Sequence, residues 1–79
     1  MKNSVILITG ASGEIGENLI DYFSKIGKRK IIAIDINEPK NQNNILKFFQ
    51  DSILNIDMLN EINKEYIVEE VYHLAAILS

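Results

Sequence analysis

Two short apolar runs predict the centre of a β-sheet. Residues 4–9 (SVILIT) and residues 31–35 (IIAID) are rich in β-branched side chains and contain four consecutive apolar positions each. A half-buried strand alternates apolar and polar residues, whereas a strand covered on both faces is apolar throughout. We therefore expect two neighbouring strands of a parallel sheet that is covered on both faces.

The segment between these runs predicts a helix. Residues 10–16 (GASGEIG) form a glycine-punctuated turn, and the apolar residues after it recur at helical spacing up to Ile26. Gly27 and the basic residue Lys25 are signals of a helix C-terminus. The stripe predicted to face the core, with both of its central aromatic residues buried, consists of Ile15, Leu19, Tyr22, Phe23 and Ile26.

The second half of the chain predicts further α/β structure. Residues 37–44 are polar and contain the single proline, so we expect a loop there. Residues 45–50 are ambiguous, and a short helical turn is favoured. Residues 52–56 alternate as in a strand, residues 57–66 have helical spacing, and residues 70–75 form a fourth strand. The order βαβ(α)βαβ is typical of an α/β fold with a parallel sheet and right-handed crossovers.

Composition limits the kinds of function that the chain can have. Its 79 residues are 47% hydrophobic and 24% charged, which is ordinary for one small globular domain. The absence of cysteine and the single histidine, His73, argue against a metal site, and His73 is expected to be structural. A net charge of −3 with scattered basic residues argues against nucleic acid as a partner. No apolar run approaches the ~20 residues of a membrane span, so we expect no membrane segment, no secretion signal and a cytoplasmic protein.

The turn at residues 9–16 (TGASGEIG) carries the strongest chemical signal. A predicted strand enters it and an amphipathic helix leaves it, which is the setting in which such glycines bind a dinucleotide. Gly10 permits the tight turn, Gly13 lets the backbone approach a pyrophosphate, and Gly16 allows the helix to pack on the strand. The alternative is a glycine-rich turn that has no ligand. The N–H groups that would face the phosphates are those of Gly13, Glu14 and Ile15.

Two polar positions extend this signal. Ser12 suits either a hydrogen bond to a ribose or the cap of the helix, and both interpretations stay open. Asp35 ends the second predicted strand, 19 residues after Gly16. A carboxylate there accepts the hydroxyl groups of an adenosine ribose and repels a 2′-phosphate, which favours NAD over NADP. The alternative is a solvated aspartate at a strand end.

A third signal follows the third predicted strand. The carboxylate of Asp57 would accept the amino group of an adenine, while the N–H group of Met58 would reach a ring nitrogen. The alternative is that Asp57 only caps the helix that follows.

These motifs resemble a known family. The turn TGASGEIG, the strand-end Asp35, the pair Asp57 and Met58, and residues 71–76 (VYHLAA) are together similar to the extended short-chain dehydrogenase/reductases, the NAD-dependent epimerase/dehydratase family. Within that family, residues 71–79 (VYHLAAILS) most resemble the epimerase-like L-threonine 3-dehydrogenases. The resemblance covers nearly the whole chain, which would be the first quarter of such an enzyme. It implies a Rossmann-type parallel sheet in the order 3-2-1-4, with NAD across the carboxyl ends of the strands.

The resemblance also implies a role for each matching residue. Glu14 departs from the family, in which an aromatic residue or glutamine is common, and it places a negative charge near the phosphates. The implied cofactor contacts are Gly10, Ser12, Gly13, Glu14, Ile15 and Gly16 at the pyrophosphate turn, Asp35, Ile36 and Asn37 at the adenosine ribose, Asp57 and Met58 at the adenine, and Leu74, Ala75 and Ala76 toward the nicotinamide. Ser79 is a candidate for contact with a substrate carboxylate or hydroxyl.

The chemistry of the family requires a tyrosine and a lysine four residues later, and none of the three tyrosines of this chain has a lysine at that position. We therefore expect residues 1–79 to be the NAD-binding segment of an incomplete Rossmann domain, inactive alone, from an NAD-dependent oxidoreductase. The alternatives are a fragment of a nucleotide-sugar epimerase or dehydratase and a non-catalytic truncated remnant. The whole enzyme is expected to be a homodimer, and the segment is expected to self-associate through an uncovered sheet edge.

Overall fold

Six regular elements form the part of the chain that the structure describes. The computed structural model describes residues 2–27, 29–42 and 44–75. In chain order, the elements are β1 (Asn3–Thr9), α1 (Glu14–Ile26), β2 (Ile31–Asp35), β3 (Ile45–Gln50), α2 (Ile56–Glu65) and β4 (Tyr66–His73). Over these described ranges, neither helix is long and apolar enough to cross a bilayer.

The four strands form one parallel sheet in the order β3-β2-β1-β4. β1 is central, and its Leu7 pairs with Ile32 of β2 on one side and with Val71 of β4 on the other. The predicted Rossmann-type order is therefore confirmed. Because the strands are parallel, the loops at their carboxyl ends meet at the same edge of the sheet, which is where ligands of such folds bind.

The third strand lies at a different place in the chain from the predicted one. Residues 45–50, expected as a helical turn, form β3, and residues 52–56, expected as a strand, form a turn and the start of α2. Phe48 and Phe49 pack on opposite faces of the sheet, so pairing with β2 covers part of both rings.

The predicted strand at 52–56 fails because its polar groups bond locally. The N–H group of Asn55 donates to the carbonyl oxygen of Ser52 at 3.1 Å, and the side chain of Asn55 caps α2. Such local bonds compete with strand pairing, so the alternation of residues 52–56 is misleading.

Helices cover both faces of the central strands, as the apolar runs predict. α1 contributes to a buried cluster on one face that consists of Ile6, Ile8, Ala11, Ile20, Phe23, Ile31 and Ala33. α2 contributes to a second cluster on the other face that consists of Val5, Leu7, Ile32, Ile34, Met58 and Ile62. The backbones of β1 and β2 therefore lie in a dry layer between two helices.

α1 meets the sheet with a stripe that is displaced by one residue from the predicted one. Ile15 is 64% exposed and Tyr22 is 58% exposed, so neither belongs to the core, whereas Phe23 does. The cause is a contact at Gly16, where a Cβ atom would lie 2.5 Å from the carbonyl oxygen of Gly10. This close approach fixes the rotation of α1 about its axis. The residues that α1 buries are Gly16, Ile20 and Phe23.

β4 forms one edge of the sheet and begins four residues earlier than predicted. The register of its pairing with β1 shifts after Val5, so that Glu69 has no partner on β1. A bulge of this kind bends a strand and increases its local twist.

Two neighbouring glutamates at this bulge bind one arginine. Arg29, just before β2, places its guanidinium nitrogens 3.0 Å from Glu70 and 3.7 Å from Glu69. The hydroxyl of Tyr72 donates to the other oxygen of Glu70 at 2.9 Å. The Tyr72 hydroxyl and then Arg29 hold the pKa of Glu70 below its ordinary value, and the bond to Glu70 raises the pKa of Tyr72.

A pH dependence of stability follows from the lowered pKa of Glu70. A carboxylate whose pKa is depressed in the folded state stabilises the fold above the pKa of the unfolded glutamate, about 4.3, and that contribution is lost as the pH falls through the folded pKa. We expect Glu70→Gln to lower the urea midpoint at pH 7 and to lower it less at acid pH. Glu61→Gln, at an exposed position of α2, is the control. A deficit in Glu70→Gln that stays constant from pH 7 to acid pH would contradict this account.

Candidate functional site

A cavity of about 450 Å³ lies at the carboxyl ends of the parallel strands. Its position is the one at which open α/β sheets bind ligands. Four segments line it: Gly10 and Gly13 after β1, residues Ile34, Asp35, Ile36 and Asn37 at the end of β2, residues Asp51, Ser52, Ile53 and Leu54 after β3, and Leu74 and Ala75 after β4.

Gly10 and Gly16 shape this site by allowing close backbone packing. Gly10 has a φ of +68°, and a Cβ atom there would lie 2.7 Å from the backbone nitrogen of Ala75. Gly16 packs on the carbonyl group of Gly10, as described above. At both glycines the turn packs closely against neighbouring backbone atoms. Packing alone therefore favours glycine at these two positions, whether or not a ligand is bound.

Gly13 differs from the other two glycines. It is the N-cap of α1, with a φ of −74° that any residue adopts. A Cβ atom there would have only the carbonyl oxygen of Gly10 nearby, at 3.4 Å, and the residue lines the cavity. At Gly13 the absence of a side chain therefore leaves space in the cavity, whereas at Gly10 and Gly16 it allows close packing of the backbone.

The N-terminus of α1 presents backbone N–H groups without a side-chain cap. The N–H group of Gly13, one of the three expected to face the phosphates, donates to the carbonyl oxygen of Gly10 at 3.1 Å. The N–H groups of Glu14, Ile15 and Gly16 are the first three of the helix, and helix geometry gives them no intrahelical acceptor. With the helix dipole behind them, they form the part of the site that suits an anion.

Asp35 joins two walls of the cavity. One carboxylate oxygen accepts the N–H group of Ser12 at 2.9 Å, and the other accepts the N–H group of Asn37 at 2.9 Å. The hydroxyl of Ser12 donates to the carbonyl oxygen of Asn37, so it neither caps α1 nor is left without a partner. Asp35 is thus more than a solvated strand end. Each of its oxygens still has a lone pair that can accept a hydroxyl hydrogen.

The structure places Asp57 and Met58 outside the lining of the cavity. The N–H group of Met58 donates to the side-chain oxygen of Asn55 at 3.1 Å, and its side chain is buried under the sheet. Asp57 is exposed in the first turn of α2, whose N-cap is Asn55 rather than Asp57. Both expectations for this pair depended on a strand at 52–56 that does not exist.

The carboxylate that does follow the third strand is Asp51. Its two oxygens accept the N–H group of Ser52 and the side-chain amide of Asn55, each at 2.7 Å. The backbone N–H group of Asp51 donates to the carbonyl oxygen of Asp35 at 3.1 Å, which brings the two strand ends together. The signal in the sequence is the position of an aspartate at a strand end, because Asp51 directly follows β3 and Asp35 ends β2.

Thr9 holds the fourth wall of the cavity in place. Its buried hydroxyl oxygen accepts the N–H groups of Leu74 at 3.1 Å and Ala75 at 3.3 Å, and it lies 2.7 Å from Nδ1 of His73. The hydroxyl of Thr9 and Nδ1 of His73 thus share a hydrogen bond. His73 therefore has a structural contact, and Leu74 and Ala75 offer a ligand their carbonyl groups and side chains. Ala76 and Ser79 lie outside the described residues.

Comparison with known proteins agrees with this geometry. The profile of the NAD-dependent epimerase/dehydratase family matches residues 6–79. A dTDP-D-glucose 4,6-dehydratase of Dictyostelium discoideum is 37% identical over 81 residues, which cover 90% of this chain and 19% of the relative.

Solved structures of the family superpose on nearly the whole chain. A monomeric L-threonine 3-dehydrogenase from a metagenome, in its apo form, is 47% identical with a TM-score of 0.72 over 95% of this chain and 24% of its own length. The UDP-glucose 4-epimerase of Thermotoga maritima, solved with UDP-glucose, is 33% identical with a TM-score of 0.75 over 94% of this chain and 25% of its own. The L-threonine dehydrogenase of Clostridium difficile is 31% identical with a TM-score of 0.71 over all of this chain and 26% of its own.

The chain thus spans about a quarter or less of the length of these relatives. The order of the sheet, the glycine turn and the match to the family profile all indicate the same family. The chain belongs to the NAD-dependent epimerase/dehydratase family.

Proposed function

We propose that the chain is the NAD-binding segment of an NAD-dependent oxidoreductase that resembles L-threonine 3-dehydrogenase. The observation that carries this proposal is the uncapped N-terminus of α1, which meets the cavity at Gly13, opposite the carboxylate of Asp35. The first feature suits a phosphate and the second suits ribose hydroxyl groups. When bound, NAD supplies the nicotinamide ring that accepts a hydride.

Each part of NAD would meet a wall of the cavity whose chemistry suits it. The N–H groups of Glu14 and Ile15 would bind the pyrophosphate, and Asp35 with Asn37 would bind the adenosine ribose. Ile36 is exposed at the cavity and offers an apolar surface to the adenine. The segment after β3 would form the other side of the adenine site, in place of Asp57 and Met58. The nicotinamide half would extend toward Leu74 and Ala75.

The substrate of the whole enzyme is proposed to be L-threonine. Support comes from the 47% identity to the metagenomic L-threonine 3-dehydrogenase. A nucleotide-sugar epimerase or dehydratase is the second candidate, favoured by the resemblance to the UDP-glucose 4-epimerase and to the dTDP-D-glucose dehydratase. In both cases the tyrosine and lysine of the family must come from outside this sequence, so the chain alone is proposed to be inactive. A non-catalytic remnant is the third candidate, and it predicts no measurable NAD binding.

Gly13→Val should weaken NAD without unfolding the chain. The φ of Gly13 suits valine, and the new Cβ atom would meet only the carbonyl oxygen of Gly10, at 3.4 Å. The branched side chain would occupy the space through which the backbone approaches the pyrophosphate. We expect the Kd for NAD, measured by isothermal titration calorimetry, to rise about tenfold or more, which is about 1.4 kcal/mol.

Gly16→Ala is the matched control for this experiment. Its Cβ atom would lie 2.5 Å from the carbonyl oxygen of Gly10, so it should lower the free energy of unfolding by about 1–3 kcal/mol. Gly13→Val should change that free energy much less. Unaltered NAD affinity in a folded Gly13→Val chain would show that the phosphate does not bind at this turn.

Asp35 should determine the preference for NAD over NADP. Its carboxylate repels a 2′-phosphate, but it also accepts the N–H groups of Ser12 and Asn37, so its removal should weaken both cofactors. The informative quantity is therefore the ratio of the two dissociation constants. We expect the wild type to bind NAD more tightly than NADP, and Asp35→Ala and Asp35→Asn to bring that ratio closer to one.

Glu61→Gln removes one negative charge from the exposed surface of α2 and serves as the control for net charge. It should leave the NAD to NADP ratio as it is in the wild type. Equal or tighter binding of NADP by the wild-type chain would refute the assignment of Asp35.

We also propose that copies of the chain associate through the edge strand β4. Val71 is 56% exposed and Ile67 is 49% exposed on this strand. The other edge, β3, carries Lys47, whose ammonium group lies 4.8 Å from the centre of the Phe49 ring, and lysine on an edge discourages pairing. A homodimer of the whole enzyme and a location in the cytoplasm stay predictions; the metagenomic relative is described as monomeric.

Val71→Lys should reduce this association. Sedimentation velocity at rising concentration should show oligomers of the wild type and a smaller oligomer fraction for Val71→Lys. Leu46→Lys, at an exposed position of β3, is the matched control and should behave like the wild type. A wild-type chain that remains a monomer at every concentration would contradict the proposal.

A further inference from the structure

The loop between β2 and β3 is bound to the outer surface of α1. The backbone N–H group of Lys40 donates to the carboxylate of Glu17 at 2.7 Å. One residue later, the side-chain amide of Asn41 donates to the carboxylate of Asp21 at 2.9 Å. Glu17 and Asp21 are four residues apart on a helix, so they lie on the same face of α1 and form two successive anchor points.

The other end of this loop lines the cavity. Ile36 and Asn37 contribute to its wall, and Asn37 is bound there by the carboxylate of Asp35 and the hydroxyl of Ser12. Between the two ends lies Pro39, which is buried. A proline has a fixed φ, so the short stretch between the cavity wall and the anchors on α1 has little conformational freedom.

One helix therefore carries both parts of the site. The first turn of α1 presents the N–H groups that suit a phosphate, and its next turns bind the loop that forms the ribose wall. A ligand that spans both parts needs the two at a fixed distance. A loop that is already ordered before binding loses less conformational entropy when the ligand binds. The affinity is therefore higher.

We propose that Glu17 and Asp21 are positioning residues of the nucleotide site, which act from outside the cavity by anchoring the loop that forms its ribose wall. This inference rests on the proposed binding of NAD. Neither residue lines the cavity, and their effect passes through the backbone of residues 36–41. Bonds of an N–H group to a carboxylate are among the stronger hydrogen bonds in proteins, which suits them to hold a loop without regular structure.

Electrostatic repulsion alone predicts that Glu17 weakens the binding of NAD, whereas the anchor predicts that it strengthens the binding. It is an acidic residue in the first turn of α1, so its charge repels a phosphate at that end of the helix. If repulsion dominates, Glu17→Ala should tighten NAD binding. If the anchor dominates, Glu17→Ala should weaken it, although the net charge becomes less negative.

The test compares Glu17→Ala with Glu17→Gln in the 79-residue chain. Glutamine retains an oxygen that accepts the N–H group of Lys40 and removes the charge, so it should restore the affinity that alanine loses. We expect the Kd for NAD to rise about fivefold in Glu17→Ala and by a larger factor in Glu17→Ala/Asp21→Ala. Glu61→Ala, on α2, should have the wild-type Kd, and the urea midpoints of Glu17→Ala and Glu61→Ala should be similar.

A second measurement does not depend on NAD. Amide hydrogen exchange followed by NMR should show faster exchange at Lys40 in Glu17→Ala than in the wild type, without ligand, and wild-type exchange in the strands. Unchanged exchange at Lys40, or tighter NAD binding by Glu17→Ala, would overturn the anchor. A loss of affinity that parallels a loss of global stability would reduce Glu17 to an ordinary structural residue. Absence of NAD binding to the wild type would instead overturn the proposed function, and with it the role of the anchor in binding.

Discussion

The backbone of Gly10 is pressed between α1 and the end of β4, and the rest of the structure depends on this contact. A Cβ atom at Gly10 would lie 2.7 Å from the nitrogen of Ala75, and one at Gly16 would lie 2.5 Å from the carbonyl oxygen of Gly10. The first contact brings the end of β4 to the turn, and the second sets the rotation of α1. With that rotation fixed, Ile20 and Phe23 point to the sheet, and the N-terminus of α1 opens onto the cavity. The packing of α1 and the opening of its N-terminus onto the cavity thus have one geometric origin.

The sequence predicts some parts of the fold well, and the glycine contact explains one part that it does not predict. The runs of β1 and β2 are apolar on both faces, and such runs have one stable environment, the middle of a covered parallel sheet. The order of the strands is what the family resemblance implies, and right-handed crossovers are compatible with it. The rotation of α1 about its axis is harder to predict from the sequence. Hydrophobicity favours the stripe that includes Ile15 and Tyr22, but a backbone contact at a glycine has no hydrophobic signature, and it determines the face that is buried.

The segment after β3 shows a second limit of sequence reasoning. Alternation at 52–56 resembles a strand, whereas the local bonds of Ser52 and Asn55 start a helix. The error in this element moved the expected carboxylate from Asp51 to Asp57, six residues along the chain. The expected roles of Gly10 and Asp35 did not depend on that element, and both residues do line the cavity. Expectations for site residues therefore depend on the placement of the strand that they are measured from, and the strands that the sequence places best are those that are apolar on both faces.

The polar groups around the cavity divide into those that bond within the protein and those that keep the capacity for a further hydrogen bond. Several backbone N–H groups at the walls are bonded within the chain, namely those of Ser12, Gly13, Asn37, Leu74 and Ala75. What remains on the α1 side is a set of N–H donors at a positive helix end, and what remains on the β2 side is the spare acceptor capacity of Asp35. A ligand that satisfies both sides must carry an anion at one end and hydroxyl donors a short distance away. A simple phosphate fulfils only the first condition and a sugar only the second, whereas a nucleotide fulfils both.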